Sequence, residues 1–214
     1  MIESSQFNFT AIGIVHSPFK EKFAIPRQPG LAKVDAVVEL LPPFDNPDAV
    51  SGLDQFSHIW IEFIFHAVAA PSGGERAWKA LVRPPRLGGN EKMGVFATRS
   101  THRPNPIGLS VVELLRVEVG TGVKLHIRGA DLLDGTPVID IKPYIPYADA
   151  IADAQAGYAQ SPPVRMRVRW SAAALAVAQM QSPDFKNMID EVLSLDPRPA
   201  YQDESERIYG VHIA

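Results

Sequence analysis

Val111-Val-Glu-Leu-Leu-Arg-Val-Glu-Val119, then Gly120-Thr-Gly122, then Val123-Lys-Leu-His-Ile127 is the stretch that decides the fold. Two apolar, β-branched runs flank a short glycine connection, the pattern of an antiparallel hairpin. Working outward, similar short runs recur. Thr10 to His16 is β-branched, Val34 to Leu41 alternates before Pro42-Pro43, and Ile59 to Phe65 is dense in Ile, Phe and Trp. Gly94 to Thr98 is a further short apolar run, and Asn46 to Gln55 reads as one short helix. The 19 prolines and 15 glycines punctuate these pieces. Many short strands joined by proline-rich loops favour an all-β barrel or sandwich over a doubly wound sheet.

The composition changes near Ala150. Ala148 to Ala159 is rich in small residues and reads as a connector. Val164, Met166, Val168 and Trp170 alternate with Arg165, Arg167 and Arg169, which predicts a half-buried strand with one basic face. Ser171 to Gln181 reads as a helix with Ser171 as its N-cap. Pro183 to Leu195 reads as a second helix, with Phe185, Met188, Ile189, Val192 and Leu193 at helical spacing, ended by Asp196-Pro197. The expected architecture is mainly β: a barrel or sandwich over 1–155, then a small α+β C-terminal domain over 160–214.

Composition narrows the function classes. With 46% hydrophobic and 21% charged residues the chain can bury a core. The absence of cysteine excludes disulfides and cysteine-ligated zinc and suits a reducing compartment. Met1 to Phe9 has neither the basic start nor the apolar stretch of a signal peptide. No run approaches the roughly 18 apolar residues of a membrane helix. A soluble, cytoplasmic protein without a membrane partner is expected. The net charge is −3, but its distribution says more than its sum. Arg76, Lys79, Arg83, Arg86, Lys92, Arg99 and Arg103 stand against Glu91 alone, while 184–206 is acidic.

Several chemistries are poorly supported. His58, Glu62 and His66 are spaced by four, but the residues between them are strand formers. On a strand, eight steps of about 3.3 Å separate the two histidines by about 26 Å, too far to share one metal ion. No metal site is expected, and a metal-dependent hydrolase is a remote reading. Asp131-Leu-Leu-Asp134-Gly-Thr136 spaces its acids by three rather than the two a phosphatase needs. There is no phosphate loop, no Gly-x-Gly-x-x-Gly, no Gly-x-Ser-x-Gly and no cysteine nucleophile.

Two rigid polar segments stand out: Phe96-Ala-Thr-Arg-Ser-Thr-His-Arg-Pro-Asn-Pro-Ile-Gly-Leu109, and Asp131-Leu-Leu-Asp-Gly-Thr-Pro-Val-Ile-Asp-Ile-Lys-Pro-Tyr-Ile-Pro-Tyr-Ala-Asp149. Proline-stiffened polar loops are costly unless they position something. Together with Ser17-Pro-Phe-Lys-Glu-Lys-Phe-Ala-Ile-Pro-Arg-Gln-Pro-Gly30 and Val82-Arg-Pro-Pro-Arg-Leu-Gly-Gly89, they closely resemble the TsaA-like domain of the TrmO family. Asp196-Pro-Arg-Pro-Ala-Tyr201 resembles that family's C-terminal domain. The resemblance implies a single-sheeted β-barrel that works as a homodimer, with its cofactor near the subunit interface. It implies methyl transfer from S-adenosylmethionine to N6 of threonylcarbamoyl-adenosine, beside the anticodon of a threonine tRNA. A non-catalytic module binding S-adenosylmethionine or RNA on the same barrel is the alternative.

Motif by motif, the resemblance implies cofactor contacts at Pro26, Arg27 and Gln28, at His66 and Ala67, at Arg99 and Leu109, and at Asp134, Gly135, Thr136 and Pro137. Relatives often carry glutamine at position 67; a backbone contact there tolerates alanine, whereas a side-chain contact is lost. Asp134 suits the cofactor's amino or ribose groups, and Arg27 or Arg99 its carboxylate. No general base is assigned. Arg83, Arg86, Lys92 and Arg103 are the expected RNA contacts, with Arg165, Arg167 and Arg169 as a second candidate surface. The family usually continues past Ala214 with a few aromatic and basic residues, which implies a further contribution to RNA binding there.

Overall fold

Ile59, Ile61 and Phe63 are buried while His58, Trp60, Glu62 and Ile64 are partly or fully exposed. That alternation makes His58–Ile64 a strand with one face in a core. The computed structural model describes residues 6–67, 78–85, 90–198 and 207–213. In chain order its strands are β1 (Gly13–His16), β2 (Asp35–Leu40), β3 (His58–Ile64), β4 (Leu81–Val82), β5 (Met93–Gly94), β6 (Ile107–Val119), β7 (Val123–Arg128) and β8 (Pro137–Pro143). Three helices follow: α1 (Pro146–Asp149), α2 (Ala172–Gln179) and α3 (Pro183–Ser194).

Six strands close into a barrel in the order β1-β2-β7-β6-β3-β8, every neighbouring pair antiparallel. Closure falls between β8 and β1, where Gly13 pairs with Val138. The 13-residue β6 serves two walls: Ile107 to Glu113 pair with β3, and Glu113 to Val119 pair with β7. Between Leu114 and Arg116 the register with β7 slips, so Leu115 is an extra residue. Such a bulge bends the strand and increases its twist. β8 has a second slip opposite Glu62 and Phe63, with Ile139 extra. Val15, Val38, Ile59, Ile61, Val112, Leu125, Ile127 and Val138 fill the interior, all essentially inaccessible. Each such side chain contributes about 1.5–3 kcal/mol of transfer free energy.

The expected barrel is present, and its hairpin is β6–β7. Some local expectations differ. Asn46 to Gln55 is not one helix but two short 3₁₀ turns, Pro47–Val50 and Leu53–Gln55, broken where Gly52 adopts φ of 79°. Gly94 to Thr98 is mostly a 3₁₀ turn, Val95–Ala97. Val164 to Trp170 forms no strand. Its residues are largely exposed, and Met166 N–H donates to the Ser194 carbonyl rather than into a ladder. The arginine alternation there therefore marks no pleated face. Both C-terminal helices are as expected: Ser171 accepts from Ala174 N–H, and Ser182 from Phe185 N–H.

The C-terminal unit packs on the outside of the barrel. Val192 of α3 is buried with Phe19, Ala24, Ala32 and Val34, and Met188 and Leu195 add to that cluster. Polar ties surround it. Arg165 donates to the Leu31 carbonyl and pairs with Glu191, and His212 N–H donates to Glu21.

One close approach in the barrel is testable. Phe63 lies across β6 at Gly108, where an added Cβ would sit 2.2 Å from the ring. The ring is also fixed edge-on against Phe65, 5.2 Å between centroids. Gly108→Ala therefore lowers stability by about 1–3 kcal/mol in urea denaturation. Gly94→Ala, whose Cβ meets nothing within 4 Å, stays near wild type.

Candidate functional site

Where β3 ends and β6 begins, beside the turn before β8, a cleft of about 500 Å³ opens. That size suits a small organic ligand. Its apolar wall comes from Ile25, Pro26, Phe63, Phe65, Ile107 and Leu132. Its cations are Lys22, Arg27, Arg99 and Arg103, with His66 at the rim.

Segments far apart in sequence converge here. Pro26, Arg27, Gln28, His66, Ala67, Arg99, Leu109 and Thr136 all line the cleft. Arg99 Nη1 donates to Gln28 Oε1 at 2.6 Å, joining two of those segments across the opening. Arg27 Nη2 donates to the Arg198 carbonyl at 3.0 Å, which ties this lip to the C-terminal unit. Arg103 folds back, donating to the Thr98 carbonyl at 2.7 Å while its guanidinium lies 6.0 Å from the Phe96 ring centroid.

Asp134, Gly135 and Pro137 sit behind the lining rather than in it. Asp134 Oδ1 accepts from Ser17 N–H at 3.0 Å, and Oδ2 pairs with Lys20 at 2.9 Å. Desolvation pushes this carboxyl up, but Lys20 and the Ser17 N–H outweigh it and hold it below the usual carboxylate range. Gly135 takes φ of 74°, which its lack of a Cβ permits. Thr136 is buried and its hydroxyl donates to the Leu133 carbonyl at 2.7 Å. This turn is strapped to the end of β1 by Gly135 N–H to the Val15 carbonyl and Asp134 N–H to the Phe19 carbonyl, each 2.8 Å. The carboxylate of Asp134 thus fastens a turn whose neighbours, Leu133 and Thr136, face the cleft.

Asp131, to which the family motifs assign no contact, is the acid that does line the cleft. Ser110 of β6 donates to its Oδ1 at 2.6 Å. Burial desolvates the carboxyl and raises it from 3.8 to about 6, against the Ser110 hydrogen bond, its own backbone N–H and the Arg99 charge. The one available signal was Ser110, a polar residue in an inward position of a long apolar strand.

The expected RNA contacts separate. Arg83 directly follows β4 and Lys92 directly precedes β5, and the pairing Val82↔Met93 places both at the same end of that small ladder, exposed. Arg103 lines the cleft instead, and Arg86 lies outside the described residues. Arg165 is engaged within the C-terminal contact. Of His58, Glu62 and His66, Glu62 pairs with Lys142 at 2.9 Å and His58 shares a hydrogen bond with Ser57. No metal-ligand cluster occurs among the described residues, and none of their helices is long and apolar enough to cross a membrane.

A closed β-barrel carrying a cationic cleft and a helical C-terminal unit defines an architecture that comparison with known proteins identifies. Residues 14–150 match the tRNA-methyltransferase O N-terminal domain and residues 163–214 the TrmO C-terminal domain. The chain belongs to the TrmO family. It is 50% identical to a tRNA (adenine(37)-N6)-methyltransferase of Escherichia coli, over 97% of this chain and 89% of that protein. A Pseudomonas aeruginosa relative named for S-adenosylmethionine-dependent methyl transfer is 51% identical over 94% of this chain and 87% of its own length. The crystal structure of TrmO from Pseudomonas aeruginosa superposes with a TM-score of 0.78 at 44% identity, covering 100% of this chain and 89% of that one.

The Asp131 environment fixes a pH dependence. Raising the carboxyl from 3.8 to about 6 costs its ionised form about 3 kcal/mol at neutral pH. Between those values the folded chain holds a proton that the unfolded chain has released, so wild-type stability falls as pH rises through that window. Asp131→Asn keeps an acceptor for Ser110 and removes the ionised form. It stabilises the fold by up to about 3 kcal/mol near pH 7.5, an advantage that shrinks below pH 6 and vanishes near pH 4. Thermal unfolding across that range measures it.

Proposed function

We propose that this chain is an S-adenosylmethionine-dependent methyltransferase acting on N6 of an adenine in the anticodon loop of tRNA. The observation that carries the reading is the convergence of four family motifs, from 26–28, 66–67, 99–109 and 136, on one cleft. The names of the relatives supply the reaction. The cleft's chemistry fits the donor. Arg27 and Arg99 offer forked cations to an amino-acid carboxylate. Pro26, Phe65 and Leu132 offer apolar surface to an adenine ring. When bound, S-adenosylmethionine supplies an activated methyl group. The protein's part is to hold acceptor and donor in line and exclude water, for which orientation alone is worth several kcal/mol.

The finer reading takes the acceptor as N6-threonylcarbamoyl-adenosine beside the anticodon of a threonine tRNA, in a cytoplasmic enzyme. A second copy of the chain completes the cleft: Leu109 in its lining is 49% exposed, and Phe96, against the lining residue Arg103, is 75% exposed. Size-exclusion chromatography with light scattering tests the dimer. Incubation with labelled S-adenosylmethionine and tRNA, followed by nucleoside mass spectrometry, tests the reaction. Label in a methylated threonylcarbamoyl-adenosine supports it. Cofactor binding without transfer to any tRNA overturns it in favour of a binding module.

The paired cations at the β4–β5 ladder generate a salt-dependence prediction. Arg83→Glu with Lys92→Glu weakens tRNA binding and lowers the slope of log affinity against log salt by about 0.7–0.9 per lost phosphate contact. S-adenosylmethionine affinity, measured by calorimetry, stays at the wild-type value. An unchanged slope would move the docking surface elsewhere.

A further inference from the structure

Resting on the methyl-transfer reading, we propose that the Asp131 carboxylate, held by Ser110, is the proton acceptor for the N6 nitrogen of the RNA substrate. The N6 lone pair of an adenine is delocalised into its ring, and in a carbamoylated adenine into the carbonyl as well. Attack on a methyl group therefore develops positive charge on nitrogen, and the N6 proton becomes acidic. Balance requires an acceptor for it. The nitrogen lone pair forms the new N–C bond, with the electron pair of the broken carbon–sulfur bond staying on the donor's sulfur, and the N6 proton passes to Asp131 and then to solvent.

The geometry singles out this carboxyl. Among the described residues lining the cleft, Asp131 is the only acid; Lys22, Arg27, Arg99 and Arg103 are cations that cannot accept a proton near neutral pH. His66 lines the cleft but is exposed to solvent. Asp131 also lacks the duties of its neighbour. Asp134 fastens a turn through Lys20 and Ser17, whereas Asp131 is bonded by Ser110 at one oxygen and feels Arg99 only through space. Its desolvation raises it toward the range in which a carboxylate is both ionised at neutral pH and more basic than an exposed one. Ser110 fixes the orientation of the acceptor and, by stabilising the anion, sets how basic it is.

The groups facing Asp131 define the test. Single-turnover methyl transfer with saturating cofactor and tRNA should lose rate below about pH 6 in the wild type, with a log slope of one. Asp131→Asn should lower the plateau by 10²–10⁴-fold and abolish that acid limb, while calorimetric S-adenosylmethionine affinity stays within about twofold. Ser110→Ala removes the hydrogen bond that favours the anion, so it should move the limb to higher pH. A limb belonging to a histidine would not move with Ser110. Carboxyl NMR of the cofactor-free protein should show the same titration and the same upward move in Ser110→Ala, independently of turnover. A wild type that transfers methyl but has no acid limb near pH 6 overturns the assignment. Retention of wild-type rate and limb by Asp131→Asn, or a limb unmoved by Ser110→Ala, also overturns it. If Asp131→Asn fails to fold, the wild-type limb and the Ser110→Ala shift decide alone. A wild type that transfers nothing overturns the methyltransferase reading and this assignment with it.

Discussion

The extra residue Leu115 in β6 is the constraint on which the rest of the barrel depends. Up to Leu114 the strand sends every second side chain inward; beyond the slip Val117 takes the inward role. One continuous strand thereby turns the corner from the β3 wall to the β7 wall, and the sheet can close on itself. The same strand brings Gly108 under Phe63 and Ser110 beside Asp131. The geometry that closes the barrel thus also places the wall of the cleft.

Two acids three residues apart do different jobs because their surroundings differ. Asp134 has a partner cation and a backbone donor, and its charge is accommodated. Asp131 has one hydroxyl and a desolvated wall, and its charge is strained. The fold tolerates that strain because Asp134, with the backbone bonds to Val15 and Phe19, fastens the turn on which both depend. The cationic lip is similarly shared: Arg27 faces the cleft and also holds the Arg198 carbonyl of the C-terminal unit.

Partial alternation made β2 legible, density in Ile, Phe and Trp β3, and two β-branched runs about a glycine turn β6 and β7, because each has one face in the barrel core. β8 was not legible as a strand. Its bulge at Ile139 puts Val138 and Ile141, rather than Val138 and Asp140, toward the interior, so period two fails there. Val164 to Trp170 shows the converse error: clean alternation with no ladder to join. Capping chemistry read correctly at Ser171 because it is local. Family motifs named residues from each segment that lines the cleft, yet of the acids they pointed to Asp134. Asp131 gains its meaning only from contact with Ser110, which is 21 residues away in sequence. No local pattern encodes such a pairing.

The β1–β8 seam has a kinetic consequence. β1 can pair at once with β2, but its other edge waits for Val138, and β2 waits for residues 124–128. During synthesis the first hairpin therefore emerges with both outer edges unsatisfied for roughly a hundred further residues. Non-local closure of this kind folds slowly, and open edges invite pairing with other chains. A nascent chain halted before β8 would leave an open sheet and be prone to aggregate, whereas one extended through Pro143 has every strand of the barrel in hand.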